Sequence, residues 1–387
     1  MTASPPSSQA RRRFLFAAGG VALALAGCQT RGPAPVRSIQ LPPSPVVGGV
    51  QTNELRNRVA VIVPLTGSDA AVGQSIANAA NLALLDSGDK TLRVTIYNSA
   101  GAGGAVAATK KALGEGSRLI LGPLLAEEVR EAAPVARQAG VPVVAFSNDE
   151  GVAGNGVYIL GFTPNQSIAR VVSLARQRGA TKFAALVPTG LYGQRAAQAM
   201  LGAVQEAGGR MIALQTFNRT AAGVRTAAAS LNAKGAVDAV LIADAGRIAV
   251  VAAPAIKTGP QLLGTELWAS DSGLGVTPAL RGAWYAAVPD DRFTQFAARY
   301  RTRHGKAPYR LSSLGYDAVL LAVRSARDWP LGGRFPARAL ADHEGFAGVD
   351  GIFRFDRRGV AQRALEVRRV TASGTTTISP AAKSFGE

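Results

Sequence analysis

A near-continuous apolar run, Val59-Ala60-Val61-Ile62-Val63-Pro64-Leu65, sets the first limit on how this chain can fold. A strand without a polar face belongs inside a parallel sheet covered by helices on both sides. The neighbouring residues agree with that. After Thr66-Gly67 and a short loop come Ile76, Ala79, Ala80, Ala83 and Leu84, an apolar stripe at helical spacing. The unit then recurs. Leu92-Arg93-Val94-Thr95-Ile96-Tyr97 reads as a strand, 105–113 as a helix, and Leu119-Ile120-Leu121 as a strand ending at Gly122-Pro123. The next helix holds Glu127 and Glu128 in its first turn, where acids favour the positive end of the dipole. Val141-Pro142-Val143-Val144-Ala145 is the fourth strand. Strand and helix alternating at this pace predict an α/β protein with a doubly wound parallel sheet and right-handed crossovers.

Thr163-Pro164-Asn165-Gln166 opens a second series. Thr163 is expected to cap, Pro164 to sit in the first turn and Gln166 to complete a capping box. The helix stripe is Ile168, Val171, Val172 and Ala175. Phe183-Ala184-Ala185-Leu186-Val187-Pro188 repeats the opening strand with its terminal proline, and Gly190-Leu191-Tyr192-Gly193 leads into another helix. Residues 211–217, 237–243 and 261–264 read as further strands. The pattern implies two similar lobes with a cleft between them, and ligands of open α/β sheets sit outside the carboxyl ends of the strands.

The N-terminus has different chemistry. Arg11-Arg12-Arg13 precedes an apolar stretch, 14–26, too short to span a bilayer, which closes at Leu25-Ala26-Gly27-Cys28. These are the parts of a secretory signal. The last four residues resemble the lipobox of bacterial lipoproteins, which implies that Cys28 is diacylated, becomes the new N-terminus and is acylated again. Cys28 is the only cysteine, so it has no disulfide partner within the chain. Arg11 to Leu15 also resemble a twin-arginine export signal, so both export routes stay open. Residues 29–57 carry Pro33, Pro35, Pro42, Pro43, Pro45, Gly48 and Gly49 without apolar periodicity. They read as a linker spanning on the order of 30 Å. No later apolar stretch approaches the roughly 20 residues of a membrane span, so the expected attachment is the lipid on Cys28.

The 387-residue chain has a formal net charge of +18, and loss of the three signal arginines leaves +15. Export, dispersed arginines and few aromatics argue against a nucleic acid partner. A compositional bias and attraction to anionic envelope polymers or to an acidic partner patch both remain. Enzyme chemistry has little to stand on. One cysteine and two histidines, His304 and His343, cannot build a Cys/His zinc site. Nucleophile-elbow and Walker sequences are absent, and Val106 occupies the third-glycine place of the apparent dinucleotide fingerprint at Gly101-Ala102-Gly103. No catalytic residue, metal or cofactor is expected.

Val61-Ile62-Val63-Pro64-Leu65-Thr66-Gly67 with Gly73, then Gly122-Pro123, Val141-Pro142-Val143-Val144, Tyr192-Gly193, Tyr316-Asp317-Ala318 and the run from Gly348 to Asp356 carry a resemblance. Together and in order they resemble the type I periplasmic binding proteins of the leucine-binding branch, over roughly 58–372. The resemblance implies two lobes joined by three crossovers, near Phe162, Pro289 and Gly345. The layout is then a signal at 1–27, a lipidated linker at 28–57, a first lobe of 58–162 plus 290–344, a second of 163–289 plus 345–372, and a tail at 373–387. Two groups share such a body: solute-binding components of ABC importers, and activators of penicillin-binding proteins, lipoproteins that stimulate a peptidoglycan synthase.

In the amino acid binders, hydroxyls and backbone amides after the third and fourth strands hold the carboxylate, and a second-lobe acid holds the amine. By that resemblance the cleft candidates are Thr66, Leu124, Ser147, Asn148, Tyr192 (as the aromatic that stacks on the ligand) and Glu266 (as the acid). Leu124-Leu125-Ala126 departs from it, because the binders tend to carry Ser or Thr there and an undonated carboxylate costs several kcal/mol. This departure, the lipobox and the long linker favour the activator, with a class A penicillin-binding protein as partner. Its expected contact surface is the basic segment of Arg299, Arg301, Arg303 and Lys306. The alternative is an importer's binding lipoprotein for amino acids or a related solute, with a permease as partner. Either places the chain in the periplasm. Gln29 after the lipidated cysteine permits outer-membrane anchoring, with the inner membrane as the other site.

Overall fold

The computed structural model describes residues 56–385; the expected signal, Cys28 and the expected linker up to residue 55 lie outside them. The first lobe is built from β1 (Asn57–Val63), α1 (Ala70–Ser87), β2 (Leu92–Asn98), α2 (Gly104–Gly114), β3 (Ser117–Leu121), α3 (Ala126–Gln138), β4 (Val143–Ala145) and β5 (Val157–Ile159). Its strands lie in the order β2-β1-β3-β4-β5, all parallel. Every side chain from Val59 to Val63 is wholly buried. Val59, Val61 and Val63 face α1, packing with Ile76, Ala79 and Ala80. Ala60 and Ile62 face α2 and α3, packing with Ala108, Ala112 and Val129. Each buried Val or Ile stabilises by about 1.5–3 kcal/mol. The unbroken apolar run is therefore the sequence of a strand with helices on both faces.

The second lobe is built from α4 (Pro164–Gln177), β6 (Lys182–Pro188), α5 (Leu191–Glu206), β7 (Arg210–Phe217), α6 (Ala221–Asn232), β8 (Ala239–Ile242), α7 (Gly246–Ala252), β9 (Gln261–Gly264) and β10 (Trp284–Ala287). The chain then returns to the first lobe through α8 (Asp291–His304) and α9 (Ser312–Ala326), whose Phe296, Tyr300, Leu314 and Val319 share the core with α1. β11 (Phe346–Gly348), β12 (Gly351–Phe355) and β13 (Ala361–Arg363) make a small antiparallel sheet, and β14 (Glu366–Thr371) and β15 (Gly374–Ser379) end the fold. The second sheet runs β15-β14-β10-β9-β8-β6-β7, parallel from β10 to β7 and antiparallel at β14 and β15.

One close approach recurs in both lobes. A Cβ on Gly73 of α1 would lie 1.8 Å from the Pro64 carbonyl oxygen, and one on Gly193 of α5 would lie 1.6 Å from that of Pro188. Each helix can seat against the end of its strand only through a glycine.

Three details differ from the sequence reading. Phe346, Val349, Phe353 and Phe355 pack in the first-lobe core, so the third passage between lobes lies at residues 364–365 and not near Gly345. The expected tail contains β15, held by pairing with β14. Thr163 caps α4 without a side-chain hydrogen bond to the backbone. Gln166 donates to Thr163 Oγ1 at 3.1 Å and accepts from the Arg363 amide at 2.8 Å, so it ties α4 to the third passage instead of closing a box. At the start of the body, Asn57 donates to the Trp329 carbonyl at 3.1 Å and accepts from the Gly332 amide at 2.9 Å. The first residues of the described body are thereby pinned to the loop after α9.

Candidate functional site

The carboxyl ends of the strands from both sheets converge on a chamber of about 360 Å³ between the lobes. The first lobe supplies Val72 of α1, Leu124 and Leu125 after β3, and Phe146 and Asn148 after β4; Phe162 comes from the first passage and Leu311 from the start of α9. The second lobe supplies Glu266, Leu267 and Ala269 after β9, with Ala287 and Val288 at the end of β10. The walls are mostly apolar. Asp69, Asn148, Glu266, Ser270 and Arg310 are the polar groups. Backbone geometry places the leucines: Gly122 has φ +95° and a Cβ there would meet the Ile62 carbonyl oxygen at 2.1 Å, so the chain turns sharply over β1. The Gly122-Pro123 bond is cis.

Glu266 accepts a short hydrogen bond from the Ser167 hydroxyl of α4. Burial pushes its carboxyl up to about 7, against the hydrogen bonds from Ser167 and from its own backbone amide. Near neutral pH this group therefore exchanges a proton, and a ligand cation would drive it to the charged form. Tyr192 stands next to it, its hydroxyl 3.3 Å from Thr265 Oγ1. Burial, then the nearby Glu266, holds the phenol well above its ordinary value.

Two outer compartments adjoin the chamber through shared residues. One of about 220 Å³ lies between Leu124, Leu125 and Asn148 of the first lobe and Leu191, Tyr192 and Arg195 of the second. The next, of about 310 Å³, is polar, with Asn148, Glu150, Asn165, Arg195, Gln198 and Arg358 among its walls. An ion pair that the sequence did not reveal crosses the lobes here. Arg195 of α5 places Nε 3.0 Å from Asp149 Oδ1, and Arg130 of α3 makes a short contact to the other oxygen. Gly151 lies beneath it, where a Cβ would come 2.2 Å from Arg195 Nη2.

Of the six cleft candidates, Leu124, Asn148 and Glu266 line the chamber and Tyr192 lines the adjoining compartment. Thr66 and Ser147 line neither. The Thr66 hydroxyl donates to the Ala100 carbonyl at 3.2 Å and accepts from Asn98 at 3.1 Å. Ser147 is buried and accepts from the Asp149 amide at 3.1 Å, so both hydroxyls shape loops. Phe146, Phe162, Leu267 and Arg310 are chamber residues that sequence reasoning missed. Their only signal was position, just after a strand or at a passage between lobes.

Behind the chamber a buried ionic cluster joins the lobes. Arg310 Nη1 donates to Asp350 Oδ1 at 2.5 Å, with its guanidinium 3.9 Å above the Phe293 ring. Arg363 donates to the Leu160 carbonyl at 2.5 Å and stacks on Phe162 and Phe353. Arg368 donates to the Val288 carbonyl at 2.9 Å and pairs with Glu366 and Asp290. Asp317 accepts from the Val349 amide at 2.8 Å; burial, then Asp350, pushes its carboxyl up to about 7. Among the described residues no group of three or more His, Cys, Asp or Glu side chains is placed to hold a metal ion, and no helix is long and apolar enough to cross a membrane.

Residues 57–375 match the family model described as periplasmic binding protein. A curated relative, an uncharacterized protein of Rickettsia prowazekii (strain Madrid E), is 25% identical over 142 residues, which is 37% of this chain and 38% of that protein's length. The structure of a putative branched-chain amino acid ABC transporter from Rhodospirillum rubrum covers 84% of this chain and 100% of its own, at 22% identity and TM-score 0.73. The solute binding protein of an ABC transporter from Rhodopseudomonas palustris BisB5, in complex with 3,4-dihydroxy benzoic acid, covers 86% and 99% at 20% identity and TM-score 0.64. At these identities the structures speak for the fold, two parallel-sheet lobes of leucine-binding type.

Proposed function

Since the chain belongs to the periplasmic binding protein family, a family of binding proteins and not of enzymes, we propose that it is the solute-binding component of an ABC importer. The observation that carries this is the chamber of about 360 Å³ walled by both lobes. A solute held there contacts both lobes at once, so binding favours the state in which they are together. The apolar walls suit a small solute with an apolar body and one polar end, such as a branched-chain amino acid or an aromatic acid. Leu124, Phe146, Phe162 and Leu267 take the body; Asn148 takes a carboxylate and Glu266 an amine. A permease is then the partner, and the periplasm the location, with attachment through a lipid on Cys28.

Calorimetry and thermal shift with leucine, valine, benzoate and 3,4-dihydroxybenzoate test the reading. A ligand that binds the folded state raises the melting temperature by mass action. Leu124→Asp should abolish the shift. If none of these solutes nor any short peptide binds, the importer reading fails.

A second reading, activation of a class A penicillin-binding protein, is favoured by Leu124 and Leu125 standing where hydroxyl donors would be expected, together with the lipobox and linker. Arg301, Arg303 and Lys306 are exposed and suit a contact surface, whereas Arg299 is occupied by Asp86 at 3.2 Å and by the Tyr316 hydroxyl at 3.2 Å. Purified protein that leaves glycan polymerisation and crosslinking by its host's class A synthases unchanged would remove it.

A further inference from the structure

Arginine is the second residue of each of the three neighbouring strands β2, β1 and β3. Arg58 pairs in register with Arg93 and with Ser117, the residue before Arg118. Arg137 in the last turn of α3 and Arg334 in the loop after α9 extend this row. Arg118 and Arg334 flank a cavity of about 320 Å³ floored by Gly140, Gly332 and Gly333. Arg93, Arg118, Arg137 and Arg334 are exposed. Among the described residues none of these four makes a side-chain hydrogen bond or ion pair, whereas Arg130, Arg195, Arg219, Arg310 and Arg368 each hold an acid. Asp89, Glu115 and Asp328 are the acids nearby in the chain. Asp89 is engaged by the Thr91 amide and Glu115 by the Tyr97 hydroxyl.

We propose that this end of the first lobe docks on an anionic phospholipid surface. Two independent observations meet here. The row has an excess of guanidinium groups, which pair with phosphate oxygens in a bidentate manner and retain their charge at any working pH. The chain also enters the body in the middle of the row, at Asn57, with residues 28–55 of the expected lipidated chain before the described body. Whatever holds the N-terminus near a membrane presents this end to it first. The chamber lies at the opposite, carboxyl ends of the same strands, so docking leaves it open. The contact is one of charge, falling off within a Debye length of about 8 Å.

The test uses the chain from Gln29 onward, which keeps the whole compact unit 53–387 and carries no lipid. It is sedimented with vesicles of phosphatidylcholine alone or with about one-third phosphatidylglycerol. Binding is expected only to the anionic vesicles and should be lost at about 0.5 M salt. The variant Arg93→Glu/Arg118→Glu/Arg137→Glu/Arg334→Glu should partition more than about tenfold less while melting at the wild-type temperature. Arg301→Glu/Arg303→Glu/Lys306→Glu, on the other exposed basic segment, should keep its binding. Equal binding to both vesicle types, or equal loss in both variants, overturns the proposal.

Discussion

Arg310, Arg363 and Arg368 gather where the two lobes join, and Arg93, Arg118, Arg137 and Arg334 gather at the amino ends of the first sheet. The first group is enclosed. Arg363 and Arg368 are only 8% and 6% exposed, and acids or carbonyls meet the guanidinium groups. The second group is in water and has no partner among the described residues. An arginine-rich composition thus resolves into two uses. Burial calls for compensation, by a paired acid at Arg310 and Arg368 and by the Leu160 carbonyl with Asp350 and Asp317 nearby at Arg363, because an uncompensated charge in the interior costs several kcal/mol. At the surface solvation suffices, and charge stays available for something else.

The largest test of this contrast removes a buried guanidinium. Arg363→Ala leaves Asp317 and Asp350 with less positive charge and the Leu160 carbonyl without its donor. Chemical denaturation should show a loss of about 3–5 kcal/mol. A variant as stable as wild type would show that the junction between the lobes does not depend on that cation.

A smaller effect comes from the acid side. The Asp317 carboxyl rises from its ordinary 3.8 to about 7 in the fold, mainly through burial and then through Asp350. Its folded form holds a proton that the unfolded chain has released, so stability falls as pH climbs through that window. Asp317→Asn retains an acceptor for the Val349 amide and should flatten the slope between pH 4 and 7. At pH 8 it should be more stable than wild type, because the wild-type carboxyl is charged there in an enclosed site. An unchanged pH slope would place the titration elsewhere. The smallest effect belongs to the exposed row: Arg93→Glu/Arg118→Glu should alter unfolding free energy by less than about 0.5 kcal/mol.

Periodicity made the core of the fold legible. β1 and β6 read directly from apolar runs, because a strand buried on both faces has no polar alternation to confuse it. β5, β11 and β13 were invisible: three residues each, they are held by neighbours and carry no pattern of their own. The third passage was misplaced because Gly345 resembles a break, while the phenylalanines just beyond it belong to the first-lobe core. At the site, the loop after β3 was identified by its proline and glycine. The Arg195–Asp149 pair, 46 positions apart, depends on how the lobes meet, and the Ser167–Glu266 contact, 99 apart, on how α4 packs against the loop after β9 within the second lobe. Nothing local in the sequence encodes them.

Leu125 and Leu191, 38% and 42% exposed, stand on opposite lips of the outer compartment. The folded body contains no cysteine, since Cys28 precedes it. A thiol introduced at Leu191, in a chain whose Cys28 is replaced by Ser, would therefore be the sole attachment point for an environment-sensitive dye. The dye would sit opposite Leu125 and brighten or dim as the lips approach or part, turning occupation of the chamber into an optical signal.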